Sequence, residues 1–171
     1  GVSLSMLQQV AEGLCRTPEG FSINKKIAPT FAGWKKAIFE NKPILWGLAE
    51  SLAYGSLLLE KHPVRITGQD VRRGTFSHRH AAIYDEQTGQ RFVPLANLTP
   101  DQARFEIYDS LLSEAAVLGF EFGYSMDLPN ALVIWEAQFG DFVNGAQVII
   151  DQFLSSSESK WNRDSGVVLF L

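Results

Sequence analysis

The alternation of short apolar segments with helical segments constrains the fold of this chain more than any other feature. Residues 64–67, 105–108, 131–135 and 167–171 have the length and apolar character of buried β-strands. Helical segments with short turns separate the last three, which is the pattern of a parallel sheet. The sequence therefore predicts an α/β fold, a mostly parallel sheet with helices on both faces.

Further helices are predicted before the sheet and within it. Apolar residues recur at helical spacing in residues 5–17 and 30–41, and Pro43 suits the first turn of a third helix. A later helix is predicted to begin at Asp141. Its expected core stripe consists of Val143, Ala146, Ile150, Phe153 and Leu154.

Length and chain ends together suggest one domain taken from a longer polypeptide. The 171 residues suffice for one globular domain. The chain begins at Gly1 without a methionine and ends inside residues 167–171, a run typical of a fully buried strand. We expect residues 1–28 to be a helical lead-in or linker. Residues 29–171 are expected to form the α/β domain, truncated at its C-terminus.

Charge, hydropathy and cysteine content exclude several classes of protein. Fifteen Lys and Arg against 19 Asp and Glu give a net charge of −4, which argues against binding to nucleic-acid phosphates. No apolar run approaches the ~20 residues of a membrane-spanning helix, so no membrane partner is predicted. A single cysteine, Cys15, cannot form an internal disulfide, which favours a reducing compartment over secretion.

Three turns are the expected places for a ligand, because parallel α/β sheets bind ligands at the carboxyl ends of their strands. In this chain those ends lead into residues 68–79, 109–114 and 136–142. Glycine motifs for phosphates and dinucleotides are absent, and His78 and His80 lack the third ligand of a metal site.

Glu114 allows two interpretations. It follows a strand and starts an apolar helix, where the helix dipole favours a carboxylate and Ser113 suits the cap. In the functional interpretation the same acid is partly desolvated at the strand ends and shares a proton with a ligand.

The turn 136–142 also allows two interpretations. Phe139 and Phe142 are either core side chains beneath the turn, with Asp141 as a helix cap, or an aromatic face for a flat heterocycle. In the second case Gln138 or Asp141 supplies a polar contact.

The polar stretch from Gly68 to about residue 94 is too long for an ordinary connection. Its His78 and His80, close to Arg72, Arg73 and Arg79, either contact neighbouring backbone in a solvated loop or meet an anionic substrate.

Five blocks of sequence carry a more specific signal: residues 68–76, 79–81, 112–121, 134–142 and 144–153. In this order they resemble the thiamine-diphosphate-dependent decarboxylating component of 2-oxoglutarate dehydrogenases. The resemblance is close over about residues 43–171. It implies a transketolase-like pyrimidine-binding domain and a homodimeric catalytic unit. The cofactor implied is thiamine diphosphate, with Mg²⁺ held by a domain outside this chain, and the partner is a lipoyl-bearing succinyltransferase.

The resemblance also implies site residues. Glu114 matches the glutamate that bonds a ring nitrogen of the aminopyrimidine, and Gln138, Phe139 and Phe142 fall in the block that faces this ring. Gln69 and His80 fall in loops that border the substrate, and His80 joins Glu114 as a catalytic candidate.

Two alternatives stay open: a non-catalytic assembly domain, or the pyrimidine domain of another thiamine-dependent 2-oxo acid dehydrogenase or a transketolase. Motifs that bind Mg²⁺ and diphosphate are missing, so the chain alone is expected to be inactive. It is also expected to self-associate through uncovered apolar surface. The resemblance places the protein in bacterial cytoplasm or, in a eukaryote, in the mitochondrial matrix.

Overall fold

The computed structural model describes all 171 residues, and its sheet strands lie close to the predicted segments. Three helices precede the sheet: α1 (Leu4–Leu14), α2 (Ala28–Phe39) and α3 (Trp46–Leu59). The sheet strands and the helix between two of them are β1 (Val64–Gly68), β4 (Phe105–Asp109), α4 (Glu114–Asp127), β5 (Leu132–Glu136) and β6 (Val167–Phe170). No helix combines the length and apolar character that crossing a membrane requires.

Four parallel strands form the sheet in the order β4-β1-β5-β6. Ile66 of β1 is level with Ile107 on one side and with Ile134 on the other, so these three side chains share a face. The α/β fold with a parallel sheet, predicted from the alternation of strands and helices, is confirmed.

Both faces of the sheet are covered. On one face Ile66, Ile107 and Ile134 pack into the large core that α1, α2 and α3 complete. On the opposite face, Trp135 forms a smaller core with Val117 and Leu118 of α4 and with Ala137 and Ala146. Because helices cover both faces of the sheet, a ligand can reach it where the strands end.

Helix α1 packs into the same core as the rest of the chain. The Ser3 side chain caps its first turn by accepting a hydrogen bond from the Met6 N–H. Val10 lies fully buried against α3, where a Cβ at Gly55 would come within 2.2 Å of its Cγ1. Glycine at this position therefore allows the two helices to touch. The domain boundary at residue 28 stays a prediction.

Several local expectations were wrong. Pro43 precedes α3, which begins at Trp46. The predicted regular helix from Asp141 is a 3₁₀ turn at Gly140–Ala146, a short α5 (Gln147–Ile149) and a π-helical turn at Ile150–Leu154, and only Ala146 of the expected stripe is fully buried. Strand β6 pairs with β5 alone, so it is an edge strand and stays partly exposed.

Three short features were not predicted, one of them a 3₁₀ turn at Pro94–Asn97. Residues 83–92 contain a small antiparallel ladder of β2 (Ile83–Tyr84) and β3 (Arg91–Phe92), and the polar tail contains α6 (Ser157–Trp161). Strands of two residues carry no alternation that a sequence pattern could show.

The Asp85 carboxylate anchors the turn between β2 and β3 and should make stability depend on pH. It accepts hydrogen bonds from the backbone N–H groups of Ser22, Thr88 and Gln87, at 2.7, 2.7 and 2.8 Å. These bonds, with Ser22 contributing most, hold the pKa of Asp85 at about 2. Because the folded-state pKa lies below the unfolded value of about 3.9, the ionised Asp85 carboxylate stabilises the fold at pH values above about 3.9. This stabilisation is lost as the pH falls toward 2.

We therefore expect Asp85→Asn to lower the melting temperature at pH 7, with a deficit that shrinks between pH 4 and pH 2. Thermal unfolding across this range measures the deficit against Asp127→Asn, an exposed control at the end of α4. A deficit that does not change with pH would contradict the role given to the Asp85 charge.

Candidate functional site

Three turns meet at the carboxyl ends of the central strands. Because β1 lies between β4 and β5, the turn after β1 has the turn after β4 on one side and the turn after β5 on the other. The Ser110 N–H donates to the Gly68 carbonyl at 2.8 Å and ties the first two turns together. Such a switch point is the usual ligand position in open α/β sheets.

Three of the predicted site residues line one narrow crevice at this switch point. Gln69 follows β1, Glu114 begins α4, and Gln138 follows β5. The remaining wall consists of Gly68, Leu112, Val117, Trp135, Glu136 and Ala137. The structure thus brings together residues that are far apart in the chain and were proposed separately.

The Glu114 carboxylate lies at the crevice and forms no side-chain bond on which the fold depends. Ser113 caps α4 by accepting a hydrogen bond from the Ala116 N–H, as expected, and this fixes the start of the helix. No side chain of the chain hydrogen-bonds or ion-pairs with Glu114. A Cβ at Gly145 would come within 3.0 Å of Glu114 Oε2, so glycine there leaves room beside the carboxylate.

The aromatic residues of the turn 136–142 are exposed, so their interpretation as core side chains was wrong. Phe139 is 44% and Phe142 is 47% exposed, and their rings meet edge to face with centroids 6.0 Å apart. Phe76 contacts Phe139 in the same edge-to-face manner. Asp141 caps no helix, since the 3₁₀ turn begins after Phe139 without a side-chain cap. The rings are therefore available to a ligand.

A larger, open cavity of about 670 Å³ adjoins the crevice and shares residues 136–138 with it. Trp46, Phe76 and Phe139 contribute aromatic surface, and His78 contributes an imidazole. The cavity lies at the same edge of the sheet, so crevice and cavity form one candidate site.

A buried charge cluster forms the polar wall of the cavity. Arg79, only 1% exposed, donates to Glu50 Oε2 at 3.0 Å, to Glu136 and to the Val71 carbonyl. Burial lowers the pKa of Arg79, but the bonds to Glu136 and Glu50 outweigh it and hold that pKa above its usual value. The buried Tyr54 hydroxyl has no partner, and burial and Glu50 raise its pKa.

Sequence reasoning missed this cluster because it left Arg79 on a loop that was either solvated or facing an anionic substrate, and assigned it no acid partner. The partners Glu50 and Glu136 stand 29 and 57 residues away from Arg79. The one available signal was an acid inside each of two otherwise apolar elements, since such acids are rarely buried unless they are paired.

The structure does not bring His80 to the crevice. Its ring lines a small internal pocket with Leu14, Phe31 and Trp34, on the side of the N-terminal helices. Burial lowers the pKa of His80, which favours the neutral imidazole. His78, two residues earlier, is the histidine on the cavity wall. The catalytic and substrate roles suggested for His80 stay predictions that this geometry does not support.

An acid at a strand-end crevice, with exposed aromatic rings beside it on a parallel α/β domain, is an arrangement suited to a flat nitrogen heterocycle. Residues 42–171 match the family described as "Transketolase, pyrimidine binding domain", and the chain belongs to this family. This confirms the class suggested by the sequence resemblance.

The names of similar proteins are more specific than the name of the family. The chain is 54% identical to the "2-oxoglutarate dehydrogenase E1 component" of Azotobacter vinelandii over 168 residues, 98% of its length. It is 50% identical to the protein of the same name from Rickettsia conorii over all 171 residues. The chain spans about 18% of the length of these two relatives. Family and names together imply a thiamine diphosphate enzyme.

The residues at and beside the crevice suit the aminopyrimidine of that cofactor. A ring nitrogen needs a proton-exchanging partner, and Glu114 offers a carboxylate with no competing bond in the chain. A flat ring also needs stacking surface and space, and these come from the exposed Phe139 and Phe142 and from the gap beside Gly145.

Proposed function

We propose that this chain supplies the aminopyrimidine half of the thiamine diphosphate site in a 2-oxoglutarate dehydrogenase. The whole protein would decarboxylate 2-oxoglutarate oxidatively and pass the succinyl group to the lipoyl group of a partner acyltransferase. The observation that carries the proposal is the unpaired Glu114 carboxylate at the switch-point crevice. The names of the relatives support the substrate.

In this proposal the residues of the crevice and of the adjoining turn have separate tasks. Glu114 holds or releases a proton at a ring nitrogen, and the cap at Ser113 keeps its backbone in place. Phe139 and Phe142 orient the ring by stacking, and Gln138 offers an amide at the crevice wall. When bound, the cofactor supplies the electron sink that the loss of CO₂ requires.

Metal binding is assigned to another part of the longer protein. This chain contains no cluster of three or more His, Cys, Asp or Glu side chains suited to a metal ion. The proposal follows the family resemblance in placing Mg²⁺ and the diphosphate on a different domain.

The neighbourhood of the crevice also suggests what covers it. Leu111 and Leu112 precede α4 with exposed side chains, and Phe120 is exposed further along the same helix. Exposed apolar side chains next to a half-site favour a second copy of the chain as its cover. A homodimer is therefore part of the proposal.

The test uses the full-length protein that contains this chain, supplied with thiamine diphosphate and Mg²⁺. Reduction of an artificial electron acceptor is measured with 2-oxoglutarate and with pyruvate. We expect kcat/KM for 2-oxoglutarate to exceed that for pyruvate by at least about 100-fold, because binding the second carboxylate separates the two substrates.

Equal or greater activity on pyruvate would assign the domain to another 2-oxo acid dehydrogenase. Transfer of two-carbon units between sugars would assign it to a transketolase. A dimer that binds no cofactor and turns over no 2-oxo acid would leave only the assembly role.

A further inference from the structure

The segment 68–80, here called the clamped loop, has an unusual backbone. Asp70, Ser77 and His80 have φ angles of 58°, 54° and 45°, in the left-handed region that side chains disfavour. Gly74 also has a positive φ, and a Cβ there would collide with the His78 ring at 2.6 Å. A loop with this backbone keeps its conformation only when contacts outside it hold it in place.

Arg79 supplies the main outside contact. Its guanidinium donates to the Val71 carbonyl inside the loop, and it also reaches Glu50 on α3 and Glu136 at the end of β5. Thr75 adds a weaker link by donating to the Gln138 carbonyl at 2.8 Å. Arg79 thus fastens the loop to α3 and to β5 through one buried side chain. A separate link to β4 comes from the Arg72 N–H, which donates to Asp109 Oδ1 at 2.9 Å.

Glu50 connects this fastening to the cavity. Its Oε1 accepts the Trp46 indole N–H at 2.6 Å and lies 3.8 Å from His78 Nε2, and both rings line the cavity. The loop backbone also sits directly on α3, where a Cβ at Gly47 would come within 1.9 Å of the His78 carbonyl oxygen.

We infer that Glu50 is a positioning residue of this site. Through Arg79, its carboxylate holds the clamped loop in the conformation in which Phe76 and His78 form the cavity wall, and it fixes Trp46 on the opposite rim. Glu50 lies on the wall of the cavity and is absent from the lining of the crevice that contains Glu114, so its effect on turnover passes through the loop. The activity arm of the test rests on the proposed function, whereas the structural arm does not.

The test compares Glu50→Gln with the wild type in the full-length protein. Hydrogen exchange, read by mass spectrometry, reports on the peptide that contains the loop amides of Gly74, Arg79 and His80, which are bonded to loop carbonyls. We expect at least about tenfold faster exchange in this peptide and unchanged exchange in the α4 peptide. We also expect kcat for 2-oxoglutarate to fall by about 10- to 100-fold with a KM change below about threefold.

Two further variants control for folding. Glu60→Gln removes an exposed acid at the end of the same helix and should leave exchange and kcat unchanged. Glu50→Asp keeps the charge and should recover most of the slow exchange and of the turnover, even if Glu50→Gln does not fold. If Glu50 only filled space, Gln would replace it better than the shorter Asp. Recovery with Asp and not with Gln therefore shows that the negative charge holds the loop in place.

The inference is overturned if loop exchange is unchanged in Glu50→Gln. It is equally overturned if α4 exchange rises in parallel, because Glu50 would then support the whole fold, or if kcat stays at the wild-type value despite a loosened loop. If the wild type itself does not act on 2-oxoglutarate, the proposed function fails, and the exchange results alone decide whether Glu50 holds the loop.

Discussion

Replacing Glu114 by Gln in the full-length protein is expected to lower the rate of 2-oxoglutarate decarboxylation by about 10²- to 10⁴-fold, the usual contribution of a positioned acid or base. The amide keeps the size of the carboxyl group and can still form a hydrogen bond, but it cannot exchange a proton with a ring nitrogen. Because no side chain depends on Glu114, the fold should tolerate the change. Steady-state turnover at saturating cofactor measures the effect.

A matched control is available at a second helix start. Glu158 lies in the first turn of α6, is exposed, and is remote from the crevice, so Glu158→Gln should leave turnover and melting temperature unchanged. Near-wild-type turnover of Glu114→Gln would remove Glu114 from the proton-exchanging role. A fall in melting temperature that accompanies the fall in turnover would show that Glu114 has a structural role.

The second large effect concerns stability. Arg65 of β1 donates from Nε and Nη2 to Glu121 of α4 at 2.8 and 2.9 Å, and the Glu121 side chain is only 1% exposed. Its guanidinium also lies over the Tyr124 ring, 4.4 Å from the centroid. Arg65→Met should lower the free energy of unfolding of this domain by about 3–5 kcal/mol, because it leaves Glu121 buried without a partner.

Thermal and urea unfolding of the full-length protein test this value, with hydrogen exchange in α4 to localise the loss. The decisive comparison is the double variant Arg65→Met/Glu121→Leu, which removes both charges. It should recover stability to within about 1–2 kcal/mol of the wild type, since apolar residues can replace a buried ion pair. A double variant as unstable as the single one would mean that packing of Arg65 against its aromatic neighbours, and not the charge on Glu121, sets the cost.

Much of the fold was predictable because it depends on local patterns. Residues 64–67, 105–108 and 131–135 are short apolar runs between polar turns, and each became a strand of the parallel sheet. Glu114 was placed correctly at the start of α4 because Ser113 and the preceding strand mark that boundary. Local sequence thus located the turns at which the site forms.

What could not be predicted depends on distant partners. In sequence, Phe139 and Phe142 suit either a core or an exposed aromatic face, and their exposure accompanies a 3₁₀ turn at Gly140–Ala146 in place of the expected regular helix. Arg79 looks like a surface residue, and its burial depends on acids on α3 and β5. The two histidines are separated by one residue, yet the positive φ of His80 belongs to a backbone that turns the rings toward different cavities.

The position of β1 in the centre of the sheet has a consequence for folding kinetics. Val64 pairs with Phe105 on one side and with Leu132 on the other, so neither neighbour of the first strand exists until much of the chain has been synthesised. Long loops must close before either pairing forms, and such topologies fold more slowly than helical bundles of similar size, over roughly milliseconds to seconds. During synthesis β1 lies beside α1, α2 and α3 with both of its edges unpaired. In that interval the nascent domain is most exposed to wrong strand pairing.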